Sequence, residues 1–121
     1  MPVVRRADLA FTDLAGRRSA DPLPGLEPAG CSLRVVLVAP GPRTPHRHPY
    51  SVEVVQVVAG SGVHWQGDEA TPVGPGDVLL VPVGVPHVTV TSGPDELELV
   101  CFFPHPDLAA NTEELDAPVR R

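Results

Sequence analysis

The stretch that decides the fold is residues 41–60, which read GPRTPHRHPYSVEVVQVVAG. His46 and His48 are separated by one residue and flanked by prolines, which disfavour a helix. In an extended chain alternate side chains share a face, so both imidazoles are predicted to point the same way. Glu53 lies five positions after His48, and strict alternation would place it on the opposite face. A turn or bulge at residues 49–51 must reset the phase if Glu53 joins the histidines.

On both sides of this stretch, short valine-rich runs alternate with turns of proline and glycine. The 121 residues include 16 prolines, 11 glycines and 20 valines. Valine favours strands because its branched side chain packs well on a pleated surface, whereas proline and glycine set the turns. The pattern predicts an all-β antiparallel sandwich or barrel. The predicted strands are Cys31–Ala39, Ser51–Ala59, Val63–Gln66, Val78–Val81, His87–Thr91 and Leu97–Phe103.

The two ends of the chain differ from this middle part. Residues 1–30 are predicted to form an N-terminal arm, since their Pro-Gly clusters interrupt helices and central strands. The barrel is predicted over residues 31–106, and residues 107–121 form a C-terminal tail. Within the tail, Asp107–Leu115 is the one plausible helix, because Asp107 can cap its start and a proline follows its end.

Composition excludes several functions. The chain has no lysine, which excludes a Schiff-base lysine and a phosphate-loop lysine. The net charge is -6, and the nine arginines form no stripe with aromatic residues, so nucleic-acid binding is not expected. No apolar run approaches the length of a membrane span, and the start lacks the apolar core of a secretory signal. We therefore expect a cytoplasmic protein whose cysteines, Cys31 and Cys101, are reduced.

A third histidine completes a possible metal site. His87 follows Gly84-Val85-Pro86, a turn that is predicted to begin a new strand. If His46, His48, Glu53 and His87 converge inside the barrel, they offer three imidazoles and one carboxylate. This ligand set suits one divalent transition metal: Fe, Mn, Ni, Cu or Zn.

At this point the sequence resembles the cupin superfamily, over about residues 33–104. The first cupin motif is matched by Gly41, His46, His48, Glu53 and Gly60. The second is matched by Gly76, Pro82, Gly84 and His87. The sequence departs from the pattern in two places: Gly41 is one residue closer to His46, and Thr91 replaces the usual asparagine, which is not a metal ligand in the family.

The resemblance implies a small double-stranded β-helix, or jelly-roll barrel, with a metal bound by the histidines and glutamate of the two motifs. It implies no particular reaction. Two other interpretations remain open: a degenerate site with structural histidines, and a bound metal without turnover.

Other residues are candidates for the pocket. Tyr50 could donate a proton or orient a substrate at the barrel mouth, or it is a loop tyrosine facing solvent. His64 and Trp65 are neighbours on one strand, so only one can face inward. Trp65 inside would be a pocket wall, and His64 inside would be an acid or base. Cys101 is predicted to be a core or pocket thiol.

Arg34 could bind a substrate carboxylate if it points into the barrel. A competing set of inward residues on the same strand would place Arg34 on the surface. This set is Leu33, Val35, Leu37 and Ala39.

An outer face of valines predicts self-association. If Glu53 points inward, then Val52, Val54, Gln56 and Val58 point outward, and three exposed valines are hard to explain in a monomer. Cupins commonly dimerise sheet to sheet, so we expect a homodimer.

The sequence favours a mononuclear metalloenzyme acting on a small molecule. Fe(II) oxygenase is the first expectation, and a Lewis-acid isomerase, lyase or cyclase is close behind. A non-catalytic binding or sensor module is the alternative from another class. A storage protein is disfavoured by the single short barrel.

Overall fold

The computed structural model describes residues 3–121 and confirms an all-β cupin barrel without an α-helix in that range. Its strands, in chain order, are β1 Thr12–Leu14, β2 Arg17–Ala20, β3 Ser32–Val38, β4 His46–Arg47, β5 Glu53–Ala59, β6 Gly62–Gln66, β7 Glu69–Val73, β8 Val78–Val81, β9 His87–Thr91, β10 Leu97–Phe103 and β11 Glu113–Glu114. Two 3₁₀ turns, Arg6–Asp8 and Glu27–Ala29, complete the regular elements of the described chain.

All six predicted strands are present, and the other five, which have two to five residues, were not among the predicted strands. One sheet has the order β1-β2-β3-β10-β5-β8, and the other has the order β11-β4-β9-β6-β7. Every pairing between these strands is antiparallel, including those between strands that are far apart in the chain. Side chains from both sheets fill a common interior.

The apolar core lies mainly on β3, β5 and β10. Val38, Val57 and Leu97 are completely buried. Successive side chains of a strand point to opposite faces, so β5 buries every second residue at its start: Glu53, Val55 and Val57. The chain bends at residues 49–51, as the phase argument required, so Glu53 shares the interior with the histidines.

The predicted C-terminal helix over Asp107–Leu115 does not form. Its start makes a single turn, in which the Asn111 N–H donates to the Asp107 carbonyl at 3.1 Å and Asp107 Oδ1 accepts from the Ala110 N–H at 3.0 Å. The chain then extends as β11, which pairs with β4. Pairing to β4 satisfies the backbone of an otherwise unpaired edge, and this tertiary gain outweighs the local helix signal.

The segment predicted as an N-terminal arm contains a hairpin of β1 and β2. The hairpin extends the large sheet beyond β3, and Gly16 at its turn has a φ of +69°, a conformation that favours glycine. Within the described chain, no helix has the length and apolarity needed to span a membrane.

Candidate metal centre

Four buried side chains converge on one point in the barrel: His46, His48, Glu53 and His87, which we call the metal quartet. One potential ligand atom from each lies within 4.8 Å of all the others. The pairing of β4 with β9 places His46 directly opposite His87. The bend after His48 brings Glu53 at the start of β5 to the same point. The convergence predicted from the motif spacing is therefore present in the fold.

Backbone carbonyls orient two of the imidazoles. His48 Nδ1 lies 2.8 Å from the Asn111 carbonyl oxygen, and His87 Nδ1 lies 2.9 Å from that of Val85. Because a carbonyl only accepts, both Nδ1 atoms carry the proton. The lone pair of a neutral ring is then on Nε2, which faces Glu53 Oε1 at 3.3 Å for His48 and 2.8 Å for His87. Such a fixed tautomer is typical of histidines that bind metals.

The quartet fits a cation, because its polar atoms otherwise face one another as acceptors. Neutral Nε2 atoms cannot donate to the Glu53 carboxylate, so their close contacts need a proton or a metal ion between them. His46 Nδ1 and His48 Nε2 are buried and have no hydrogen-bond partner among residues 3–121. Buried polar atoms without partners are rare and costly. Imidazole and carboxylate donors in this number suit one divalent transition metal, and several metals are compatible.

Electrostatics hold the ligands in their binding forms. Burial alone would raise the pKa of Glu53, but its interactions with His48 and His87 outweigh burial and hold this pKa well below its ordinary value. Burial, with the charge of His87 next in importance, lowers the pKa of His46 well below its ordinary value. At neutral pH the glutamate is therefore anionic and His46 is neutral, which are the forms that bind metals.

His64 faces the quartet, and its neighbour Trp65 does not. His64 Nδ1 lies 3.0 Å from Thr89 Oγ1, and its Nε2 is buried without a partner in the described chain. Burial, helped by His87, lowers the pKa of His64 to about 4, so the ring is neutral at pH 7. Trp65 lies on the outer face of β6, where the Arg120 guanidinium stacks on it at 4.1 Å. The tryptophan is therefore not a wall of this cavity, because strand alternation gives the inward place to His64.

Arg34 and Cys101 lie opposite each other on β3 and β10, and both line the interior. Arg34 therefore points into the barrel, although Leu33, Val35, Leu37 and Ala39 were the alternative inward set on this strand. Its guanidinium lies 3.4 Å from Asp21, at the rim. Burial, with the charge of Glu53 next, raises the pKa of Cys101 well above its ordinary value, so the thiol stays protonated.

Tyr50 lies away from the interior. It is 66% exposed, and its ring stacks on His105 with 5.8 Å between the ring centroids. Its backbone N–H, rather than its hydroxyl, makes the structural contact, a 2.8 Å hydrogen bond to Asn111 Oδ1. A proton-donating role for Tyr50 has no geometric support in this arrangement.

The space around the quartet has two connected parts. The inner cavity, about 50 Å³, is bounded by the quartet, His64 and Cys101. The outer vestibule, about 540 Å³, lies between the β1–β2 hairpin and the C-terminal turn. Leu14 and Leu108 line both parts, so the vestibule is the approach to the quartet.

Sequence reasoning missed three residues of this region: Arg17, Arg43 and Asn111. Both arginines line the inner cavity. Asn111 is completely buried, and its side chain joins the Tyr50 backbone to Ser51 while its carbonyl orients His48. Arg17 and Asn111 lie outside the two motifs, and Arg43 lies between Gly41 and His46 at a position that the first motif leaves unspecified.

The family comparison agrees with the site. Residues 34–103 match the family model described as the cupin domain, and the chain belongs to this family. Ectoine synthase from P. lautus superimposes with a TM-score of 0.77 at 23% identity, covering 99% of this chain and 94% of that one. The polyketide cyclase RemF from Streptomyces resistomycificus gives 0.74 at 24% identity, covering 99% and 84%. At these identities the likeness shows the fold alone.

One relative is closer in sequence. Over 90 residues the chain is 39% identical to Protein SchB of Streptomyces halstedii, a stretch that covers 69% of this chain and 65% of SchB. The match therefore spans less than two-thirds of SchB.

Proposed function

We propose that the protein is a mononuclear metal-dependent enzyme that transfers a proton on a small carbonyl-bearing molecule, as an isomerase, lyase or cyclase. The observation that carries this proposal is the position of His64. Its ring lines the cavity that holds the metal quartet, 6.1 Å from the His87 ring between centroids, and its buried Nε2 lacks a partner among the described residues. A divalent metal bound by the quartet would act as a Lewis acid on a substrate oxygen.

His64 is suited to accept the proton. When Nδ1–H donates to Thr89 Oγ1, the lone pair of the neutral ring is on Nε2, which is free to accept a proton. The ring is neutral at pH 7, because its pKa is lowered to about 4. A proton removed from carbon would be held at Nε2 and returned from there to product. Cyclisation has a precedent on this fold, since one structural neighbour is a polyketide cyclase.

We favour proton transfer over the oxygenase reaction, which the sequence alone favoured. An oxygenase does not require a protein base beside its metal, whereas enolisation, elimination and ring closure do. The same ligands would serve either reaction, so oxygen consumption separates the two.

The test uses holoprotein in D₂O with pyruvate, dihydroxyacetone and pentane-2,4-dione as probes. We expect deuterium to replace hydrogen beside a carbonyl, detected by NMR, without oxygen uptake at an electrode. His64→Gln should lower the rate about 100-fold with metal content unchanged. His105→Gln is the matched control, because His105 stacks on Tyr50 outside the cavity. Oxygen uptake matching substrate loss would indicate an oxygenase, and binding without exchange or conversion would indicate a binding module.

We also propose that the protein forms a homodimer through the outer face of β5, β8 and β10. Val78 is 64% exposed, Leu80 59%, Val58 45% and Phe102 39%. β8 is the edge strand of its sheet, so its free backbone edge lies beside this apolar face. A second copy related by a two-fold axis would cover both.

Light scattering after size exclusion tests the dimer. The wild type should elute as a dimer and Leu80→Glu as a monomer, whereas Val119→Glu, an exposed change next to Arg120, which stacks on Trp65 of the other sheet, should remain dimeric. A wild-type monomer would overturn this proposal without affecting the metal site.

A further inference from the structure

Arg43 is a buried arginine that has no carboxylate partner among residues 3–121. Its side chain is 7% exposed and lines the inner cavity. Nη1 donates to the Thr89 carbonyl at 2.6 Å, and Nε has no hydrogen-bond partner in the described chain. Buried charges are normally paired, because removing them from water is costly. An arginine left this way inside a cavity is suited to bind an anion that enters it.

Arg17 adds a second positive charge to the same wall. Burial lowers the pKa of Arg43 to about 10, and the charge of Arg17 is the next cause, so the two guanidinium groups repel each other. Arg17 comes from β2 and Arg43 from the loop before β4. Two unrelated segments thus bring like charges together, and a bound anion would relieve the repulsion.

The acidic residues nearby neutralise this wall only in part. Of the three arginines that line the inner cavity, Arg34 contacts Asp21 and Arg17 contacts Glu114, whereas Arg43 has no carboxylate partner among residues 3–121. Glu114 binds Arg17 Nη2 at 2.9 Å, but it lies at the rim and its side chain is 44% exposed. Because a solvated carboxylate is held weakly, an entering anion can replace it.

We propose that Arg17 and Arg43 bind the carboxylate of the substrate, so that the substrate class is a small organic acid. This inference rests on the proposed function and deepens it, since that function named only a small carbonyl-bearing molecule. Guanidinium groups match a carboxylate with paired hydrogen bonds. The reacting atoms of the acid would lie in the inner cavity of about 50 Å³, between these arginines, the quartet and His64, and the rest of the molecule occupies the vestibule of about 540 Å³. The apolar Leu14 and Leu108 flank the passage between them.

The experiment compares benzoate with benzamide, two probes of the same shape that differ in charge. Titration calorimetry measures both with zinc-loaded and metal-free protein. We expect benzoate to bind at least about 10-fold more tightly than benzamide, since hydrogen bonds between charged groups are the stronger kind. The preference should persist, at reduced affinity, in metal-free protein.

Three variants and one control show which residues cause the preference for benzoate over benzamide. Arg43→Met and Arg17→Met should each weaken benzoate about 10-fold and leave benzamide unchanged. Glu114→Gln should tighten benzoate about threefold, because it removes the competitor for Arg17. Arg18→Met is the matched control, since Arg18 is next to Arg17 but pairs with Glu96 on the surface. If Arg43→Met does not fold, the benzoate affinities of Arg17→Met and Glu114→Gln still test the anion site.

Equal binding of benzoate and benzamide would overturn the inference. So would a benzoate preference that disappears with the metal and is unchanged in Arg17→Met, which would mean that only the metal binds the anion. That second result leaves the proposed function standing. Conversely, protein that takes up no metal but keeps an arginine-dependent preference would contradict the proposed function and support the anion site.

Discussion

The barrel interior has two ends that are built from the same strands but differ in chemistry. On β5, Val57 lies at a closed, apolar end, and Glu53 lies four residues away at the open end with the quartet. On β3, Val38 and Arg34 are separated in the same way. All four side chains face inward, so strand alternation does not distinguish the ends. The closed end consists of Val38, Val57, Val73 and Leu97.

The difference shows that one interior can separate stability from chemistry. Side chains at the closed end contribute free energy of folding by burying apolar surface. At the open end, buried histidines and arginines lose hydration, and their polar atoms remain available for a metal or an anion. Stability and binding should therefore respond to changes at different ends.

The largest expected effect is the loss of metal binding at the open end. His48→Ala removes one imidazole of the quartet, and metal content by elemental analysis should fall from about one per chain to below about one-tenth. The control His105→Ala should bind metal as the wild type does. A fully loaded His48→Ala protein would show that the assigned ligand set is wrong.

Truncation at the closed end should cost stability without affecting the metal. Leu97 is completely buried, and Leu97→Ala should lower the free energy of unfolding by about 3 kcal/mol, through lost burial and the cavity left behind. Leu23→Ala, at an exposed position outside the barrel, should cost less than about 0.5 kcal/mol. Urea unfolding and metal titration measure both quantities. A parallel loss of metal affinity would show that the two ends are coupled.

Acid should destabilise the metal-free protein through the open end alone. The pKa of His64 is about 4 when folded and near 6.5 when unfolded, so the unfolded state takes up the proton first. The stabilisation is complete above about pH 6.5 and is lost as the pH falls towards 4. From pH 7 to 5 this residue should account for about 2 kcal/mol.

His64→Gln should flatten that part of the pH dependence, measured by urea unfolding at each pH. The pKa of His46 is lowered in the same direction, so the free energy of unfolding of His64→Gln should still decrease somewhat as the pH falls. An unchanged pH profile in His64→Gln would contradict the buried, neutral state of this imidazole.

The smallest expected effect comes from the support of the open end by the tail. Asn111→Ala removes the hydrogen bonds to Tyr50 and Ser51 that fix the turn whose carbonyl orients His48. Metal affinity should fall about 10-fold, as is usual for groups that orient a ligand. Glu113→Gln, which affects only an exposed ion pair with Arg47, is the control. Equal affinity in both variants would show that the turn does not position His48.

The sequence predicted the quartet because its members match two motifs that resemble those of cupins. Spacing alone left open whether Glu53 and His87 join the other two histidines, and the bend at residues 49–51 and the pairing of β4 with β9 bring them together. It predicted six of the eleven strands because valine-rich runs and turn residues are local signals. It did not choose between His64 and Trp65, because alternation alone does not say which side of a strand faces the core. The predicted helix at Asp107–Leu115 was wrong, since its local signals omit the pairing available at β4.

By itself, then, the sequence predicted six of the eleven strands, the barrel and the four candidate metal ligands, from local signals and from the motifs that resemble those of cupins. Only the tertiary structure decided that Arg17 and Arg43 share a wall and that Asn111 orients His48. These residues come from the hairpin, a loop and the tail, and no periodicity links them. Their proximity results from how the two ends of the chain pack on the barrel, and that packing depends on the whole fold.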